Sequence, residues 1–465
     1  MRFIKSILPD YLEYLSVGGW IICTLAVVSS IGVLAWPIPE RDGLVFWIFS
    51  RNHGELYVDT VAKWNSGHTP HVNMSLISNE SMQQRMLASF LTDTPAADLM
   101  EVERNFVPQA FTGPLEDVGF VDLTDMLKES GVYDRLNEPS FGPWTSRGRI
   151  FGLPHDVHPM MLVYRADLFE AAGIDLAKVR TWDEFAEVVR PMVKDRNGDG
   201  ITDYVISIWA TGAFRDHLEA LLLQAGGALF DENDEMRINT EVNARVLATL
   251  VSWMVGPDRI AVDAPEFDAQ ANKMRLDGRV LAALMPDWLG GVWQMDMPGL
   301  SGKLKVMPLP AWEPGGRRTS VWGGTMLGIA KTTQDLDSTW QFASHLYLSE
   351  ELAEGLYKES GIISPVKAYW DRSFYDEPLP YFSGQPYGRL FIELAPEVPI
   401  RTSSPFNTYA KDRVANAIYR LKEYALSNNL FTRDELMDEA RRQLAEAEEA
   451  VNRQVRQNVF LRGDQ

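Results

Sequence analysis

Hydrophobic residues along the chain fall into two repeating patterns. Over 44–50 (LVFWIFS) they run almost unbroken, as in a strand buried on both faces of a parallel sheet. Leu56, Val58, Val61 and Trp64 then follow at helical spacing as far as Gly67. Residues 71–77 predict a second strand, 80–91 a helix, and 97–102 a third strand. Such alternation is the signature of a parallel sheet covered by helices.

The alternation resumes further on. Residues 164–172, 182–193, 217–224 and 241–254 read as helices, and 204–209, 280–285 and 326–330 as short strands. Residues 338–358 read as one helix, and 432–458 as a long amphipathic helix opened by a Thr432–Glu435 capping box. The Pro- and Gly-rich stretches 308–316 and 371–388 read as surface loops. No internal repeat and no low-complexity tract interrupts this order.

The amino-terminal stretch differs from all of these. Residues 15–36 carry no charge. As a helix rising about 1.5 Å per residue they suffice for a hydrocarbon core about 30 Å thick. Arg2 and Lys5 precede them, diluted by Asp10 and Glu13, so the positive-inside rule puts the amino terminus in the cytoplasm and residues after Pro37 outside. Trp20 and Trp36 suit the interfaces. The stretch predicts an uncleaved membrane anchor, transmembrane within 1–42. A cleaved signal is the alternative, with Val33-Leu34-Ala35 as a passable site and Trp36-Pro37 as a poor sequel; a buried core helix is a third reading. A lipoprotein signal fits poorly, because Ile22 rather than a small residue precedes Cys23.

Charge and cysteine content narrow the function. The 465 residues hold 64 acidic and 44 basic side chains, a formal net charge of −20. Nucleic-acid affinity rests on Lys and Arg neutralising phosphates, so such a chain is not expected to bind nucleic acid. Anionic lipid surfaces are disfavoured for the same reason. Cys23 is the one cysteine, which leaves the body without a disulfide or a thiolate metal site. A chain of this length forms a sufficient core without them, as two or three domains.

Several segments resemble a known family. Gly148-Arg149-Ile150-Phe151-Gly152-Leu153-Pro154, Leu162-Val163-Tyr164-Arg165-Ala166-Asp167-Leu168-Phe169, Ala172-Gly173-Ile174 and Thr181-Trp182-Asp183-Glu184-Phe185 follow one another in that order. Later come Gln224-Ala225-Gly226-Gly227, Met285-Pro286-Asp287-Trp288, Pro308-Leu309-Pro310, Trp322-Gly323-Gly324 and Gly361-Ile362-Ile363-Ser364-Pro365. In order and spacing they are similar to the family 1 extracellular solute-binding proteins of ABC importers, which include the maltose-type binding proteins. Tyr164-Arg165 departs from the family's usual Tyr-Asn, and a retained anchor departs from its usual lipoprotein or secreted form. The resemblance implies an α/β, two-lobed, periplasmic-binding-protein-like fold of type II, with three hinge crossovers. Lobe one is expected near 43–154 with 325–356, and lobe two near 155–324 with 357–460. Solute would sit between them and close the hinge.

Candidate site residues come from two sources. Ligands in open parallel sheets sit beyond the carboxyl ends of strands, which points to Ser50, Arg51, Glu103 and Asp156. A structural Arg51–Glu103 ion pair is the alternative for two of these. The resemblance adds Trp288, Trp322 and Tyr409 as ligand-facing rings, the kind of flat wall a sugar ring packs on. Gly323, with Gly324, reads as a hinge or close-approach turn.

Two further motifs carry metal-binding chemistry. Asp195, Asn197, Asp199, the Ile201 carbonyl and Asp203 match the start of a calcium loop with Gly200 at its turn, but position twelve is Ile206, so the closing glutamate is missing. Ca2+ is thus an optional ligand there, against a solvated turn, and no cofactor is required. His68/His71 and His155/His158 are H-x-x-H pairs that would need further ligands. No G-x-S-x-G, P-loop, G-x-G-x-x-G after a strand or H-E-x-x-H is present. The expectation is therefore a non-enzymatic extracytoplasmic receptor with no catalytic residue, taking a mono- or oligosaccharide to an ABC permease. A membrane-anchored sensor of the same fold is one alternative. A glycoside hydrolase using Glu103 with Asp156 or Asp287 is another.

Overall fold

Strands whose neighbouring residues are apolar on both faces must be covered on both sides, and the body of the chain is built that way twice. The computed structural model describes residues 16–35 and 42–457 apart from 197, 199 and 211–214. It divides into two units, Met1–Gly43 and Leu44–Gln465.

In chain order the main strands of the larger unit are β1 (Leu44–Ile48), β2 (Val72–Leu76), β3 (Leu99–Glu103), β4 (Leu153–Pro154), β5 (Met160–Arg165), β6 (Ile206–Ser207), β7 (Ala261–Val262), β8 (Ala282–Pro286), β9 (Leu304–Pro308) and β10 (Thr325–Ile329). One five-stranded sheet has the order β2-β1-β3-β10-β4, the other β9-β5-β8-β6-β7. In the first, β1 is parallel to both β2 and β3, whereas β10 returns antiparallel to β3 and β4. In the second, β5 lies antiparallel to β8 and β9. The chain thus passes from the first sheet to the second after β4, returns before β10, and leaves again near Ile363.

Burial follows the strand period of two. Phe46 and Ile48 join Tyr57, Trp64, Leu327 and Phe342 on one face of the first sheet. Trp47 joins Met82, Met100, Phe111 and Met326 on the other. The second sheet shares one large core with the carboxyl-terminal helices, including Val414, Leu421, Leu436 and Leu444.

Local signals account for most helix starts. Ser50 caps the helix Arg51–Gly67 and Thr181 forms a full capping box with Glu184. The same reciprocal pair forms at Thr432 and Glu435 before Arg433–Gln457. Several expectations need correction. Tyr164 and Arg165 close β5 rather than open the helix expected over 164–172, which shrinks to Ala166–Ala171. This segment is buried on both faces, so its pattern shows no period. The helix expected over 338–358 is two helices, Leu336–Tyr347 and Glu350–Ser360, because Ser349 caps the second. The strand expected over 204–209 contracts to Ile206–Ser207.

In the smaller unit a helix, Val17–Ala35, occupies the uncharged stretch. Its Ile22, Leu25, Val28 and Ile31 are exposed. Among the described residues no helix is long and apolar enough to cross a membrane. The predicted anchor finds no support there; its ends, Leu15 and Trp36, lie outside the described residues.

The carboxyl-terminal helix supplies a test of the packing. Leu444 is fully buried against the second core, so Leu444→Ala should cost roughly 2–5 kcal/mol. Urea unfolding with an unchanged m-value is the measurement that checks it.

Candidate functional site

Strand register decides which residues meet. β10 runs antiparallel to β3 with Thr325 opposite Glu103, so the residues just beyond, Gly323–Gly324 and Arg104, come together. The Arg104 N–H donates to the Gly324 carbonyl at 3.1 Å. In the second sheet Met160 stands opposite Pro286, which brings His158 beside Asp287 and Trp288. These strand ends line a cleft of about 450 Å³ that draws residues from both sheets, a size suited to a small molecule.

One part of the cleft is aromatic. Trp288 and Trp322 meet edge to face at 5.3 Å, and Phe267 stacks on Trp288 at 6.0 Å. Each Trp is held by its indole N–H: Trp288 donates to the Trp322 carbonyl and Trp322 to Asp216, both at 2.9 Å. Phe267 is 56% exposed although large and apolar. These rings form a fixed wall with an apolar face open to the cleft.

The polar part is an ionic network of three cations and three carboxylates. Arg104 reaches from the end of β3 to Asp216 at 2.7 Å and to Glu219 at 3.7 Å, both on the helix Asp216–Gln224 beside the second sheet. Arg401 pairs with Glu219 at a close contact, and Lys411 lies 3.4 Å from Asp216 and 3.6 Å from Glu219. Glu103 adds the third carboxylate, 3.5 Å from Arg104 Nε and accepting from the Asn105 N–H at 2.9 Å. Burial raises the Glu103 pKa against the pull of Arg104. For Glu219 burial also opposes charge, but Arg401, Lys411 and Arg104 win and hold it well below the usual carboxylate range. Matched charges make such burial tolerable.

A second buried bridge lies at the crossovers. His158 Nε2 is 3.0 Å from Asp156 and its Nδ1 is 2.7 Å from Asp287. Asp287 also accepts from the Ile363 N–H at 2.8 Å. Burial disfavours the imidazolium, but the two carboxylates overcome it and push the His158 pKa up to about 10. Gly323 and Gly324 have φ of +127° and +134°, which side chains rarely adopt. A Cβ on Gly323 would sit 2.2 Å from the His158 ring, so the second crossover packs directly on the bridge.

Of the predicted residues, Ser50, Glu103, Asp156, Trp288, Trp322 and Gly323 line this cleft. Arg51 and Tyr409 do not. Ser50 caps the helix, which turns exposed Arg51 outward and His53 inward. The ion partner of Glu103 is Arg104, not Arg51. On the helix Asn407–Asn428, Asn407 and Lys411 face the ionic network at i and i+4. Tyr409, two residues off that face, is instead covered by the Arg413 guanidinium at 4.8 Å.

Arg104, Asp216 and Phe267 were missed. Arg104 directly follows Glu103, and the strand-end rule that found one could have found the other. Phe267 lies in a loop outside either period, and only Asp216's position at a helix start hinted at a role.

The calcium-like turn is held by its own carboxylates. Asp195 accepts from the N–H groups of Gly198 at 2.7 Å and Gly200 at 2.8 Å. Buried Asp203 accepts from the Arg196 N–H at 3.0 Å and lies 3.8 Å from Arg279. The Ile201 side chain is exposed, and Asn197 and Asp199 lie outside the described residues. His68 stacks on Trp64 at 4.0 Å, whereas His155 and His158 both approach Asp156 Oδ2, at 3.1 and 3.0 Å, and with their other nitrogens face Tyr57 and Asp287 respectively.

Comparison with known proteins agrees with this geometry. A family model described as bacterial extracellular solute-binding protein matches residues 53–353, more than half the chain. The chain is 27% identical over 375 residues to an arabinooligosaccharide-binding protein of Halalkalibacterium halodurans, covering 79% of this chain and 80% of that one. A protein of the same name from Bacillus subtilis is 23% identical over 416 residues, covering 88% and 90%. In fold the chain resembles the sugar-binding protein MalE from the phytopathogen Xanthomonas citri, with a TM-score of 0.69, 17% identity and coverage of 90% of this chain and 100% of that one.

The His158 bridge predicts a pH dependence of defined sign. Its folded pKa, about 10, lies above the ordinary value of 6.5, so its stabilisation is complete below that value and is lost as pH rises towards 10. Thermal melting should therefore fall by several degrees across this window, and His158→Gln should flatten that alkaline slope. An unchanged slope in the variant would assign the dependence elsewhere.

Proposed function

The chain belongs to the bacterial extracellular solute-binding proteins, and from that membership and the chemistry of the cleft we infer that it is an extracytoplasmic receptor for an oligosaccharide. It delivers this cargo to the permease of an ABC importer. The observation that carries the reading is the joining, in one cleft, of an aromatic wall with anchored charged groups. A sugar offers apolar C–H faces to Trp288, Trp322 and Phe267 and a rim of hydroxyls to Glu103, Arg104 and Asp156. Two relatives named for arabinooligosaccharide binding point to the same class of ligand.

Mechanistically, we read the body as two lobes, 43–154 with 325–356 and 155–324 with 357–460. Arg104 stands on the first and Asp216 and Glu219 on the second, so their ion pairs form when the lobes approach. Ligand contacts to Glu103 and Ser50 on one side and to Trp288 and Trp322 on the other then add to the closed state only, which is how binding shifts the equilibrium. Gly323, strained for any side chain, sits where the chain crosses back.

We further propose that the receptor stays tethered at the membrane by its amino-terminal stretch, where the helix Val17–Ala35 exposes apolar side chains.

Calorimetry and tryptophan fluorescence with arabino-, malto- and galacto-oligosaccharides test the receptor function. At least one series should bind and shift the fluorescence; silence across the panel, with no melting shift, would overturn the reading. Trp288→Ala should weaken binding roughly 10–100-fold, the worth of about 1.5–3 kcal/mol of apolar contact, while Tyr409→Ala should leave affinity unchanged. For the tether, carbonate-washed membranes from expressing cells should retain the full chain and lose a chain beginning at Gly43. Release of both would remove the tether.

A further inference from the structure

Beneath the cleft, three residues distant in sequence converge. His53 stands in the first turn of the helix Arg51–Gly67, Glu101 in the middle of β3, and His155 just beyond β4. All three are buried, and one ligating atom from each lies within 4.8 Å of the others. His53 Nδ1 and Glu101 Oε1 are in close contact, and the two imidazole rings are 4.5 Å apart.

A neighbouring carboxylate orients one of the two imidazoles. His155 Nδ1 donates to Asp156 Oδ2 at 3.1 Å, which leaves Nε2 as the lone-pair nitrogen. Nε2 faces the Tyr57 hydroxyl at 2.9 Å. A carboxylate behind a histidine, fixing its tautomer and raising its basicity, is the usual outer support of a metal-bound imidazole. Glu101 is fully buried, yet its Oε2 has no hydrogen-bond partner among the described residues. A buried carboxylate oxygen left that way is costly. The ion partner of Glu101 among the described residues is His53, with no lysine or arginine.

We propose that His53, Glu101 and His155 bind one divalent transition metal of the zinc class, with the Tyr57 hydroxyl adjoining the site. Two imidazole nitrogens and one carboxylate oxygen select such an ion over calcium or magnesium, which prefer oxygen alone. Bonds from His53 and Glu101 to the metal would replace the direct contact between them. His53 also lines the cleft, which provides the entry path. The metal ties a helix, a strand and the first crossover together, so its role is structural. It is independent of which solute the cleft takes.

The full chain, purified in detergent, is stripped with a chelator, dialysed, supplied with zinc and passed through a desalting column. Elemental analysis should find about one zinc per chain, and the melting temperature should rise by about 5 °C or more over the stripped protein. Glu101→Gln, which keeps the shape, and His155→Gln should each drop retained zinc to background, whereas Asp195→Asn at the exposed turn should not. A wild-type chain that retains no zinc and melts unchanged overturns the proposal. So does a Glu101→Gln chain, folded by circular dichroism, that holds as much zinc as the wild type.

Discussion

A single imidazolium gathers every place where the chain crosses between the two sheets. His158 belongs to the first crossover and is flanked there by Asp156. Through Asp287 it reaches the end of β8, and through the same carboxylate the N–H of Ile363 on the third crossover. The second crossover lies against its ring, at Gly323. Two carboxylates around one buried cation satisfy the condition under which buried charge is tolerated, namely short contacts with further hydrogen bonds on the free lone pairs. The remaining geometry of the cleft follows from this point. Trp288 follows Asp287 in the chain and Trp322 precedes Gly323, so both rings stand beside the bridge.

Around that fixed point the cleft divides its chemistry. Charge lies in a closed account of Arg104, Arg401 and Lys411 against Glu103, Asp216 and Glu219, while the rings of Phe267, Trp288 and Trp322 supply apolar area. The chain as a whole is strongly acidic. That excess is not concentrated in this network, where each carboxylate has a cation nearby. Neutral polyols, rather than cations, suit a site so compensated.

How much of this was legible in the sequence depended on the physical origin of each feature. The first sheet was readable because 44–50 and its partners alternate with amphipathic helices, and the carboxyl-terminal helix because its cap, Thr432 with Glu435, is local. β5 was not, since a strand buried on both faces has no period to separate it from a helix. The break at Ser349 was hidden for the opposite reason: apolar spacing continues across it, and only a capping serine marks it. In the cleft, strand-end reasoning located Glu103 and Asp156, and the resemblance located Trp288 and Trp322. Arg51 and Tyr409 failed because a residue one or two positions from the right helix face points elsewhere. His53, Glu101 and His155 share no motif, and only the fold brings them together.

The salt bridge from Arg104 to Asp216 carries a consequence for timing. A contact made between protein groups alone lowers the energy of whichever conformation brings them together. Part of the work of shutting is then done by the polypeptide, and the guest supplies the rest. Dwell time rather than capture rate is the quantity that such a clasp would lengthen.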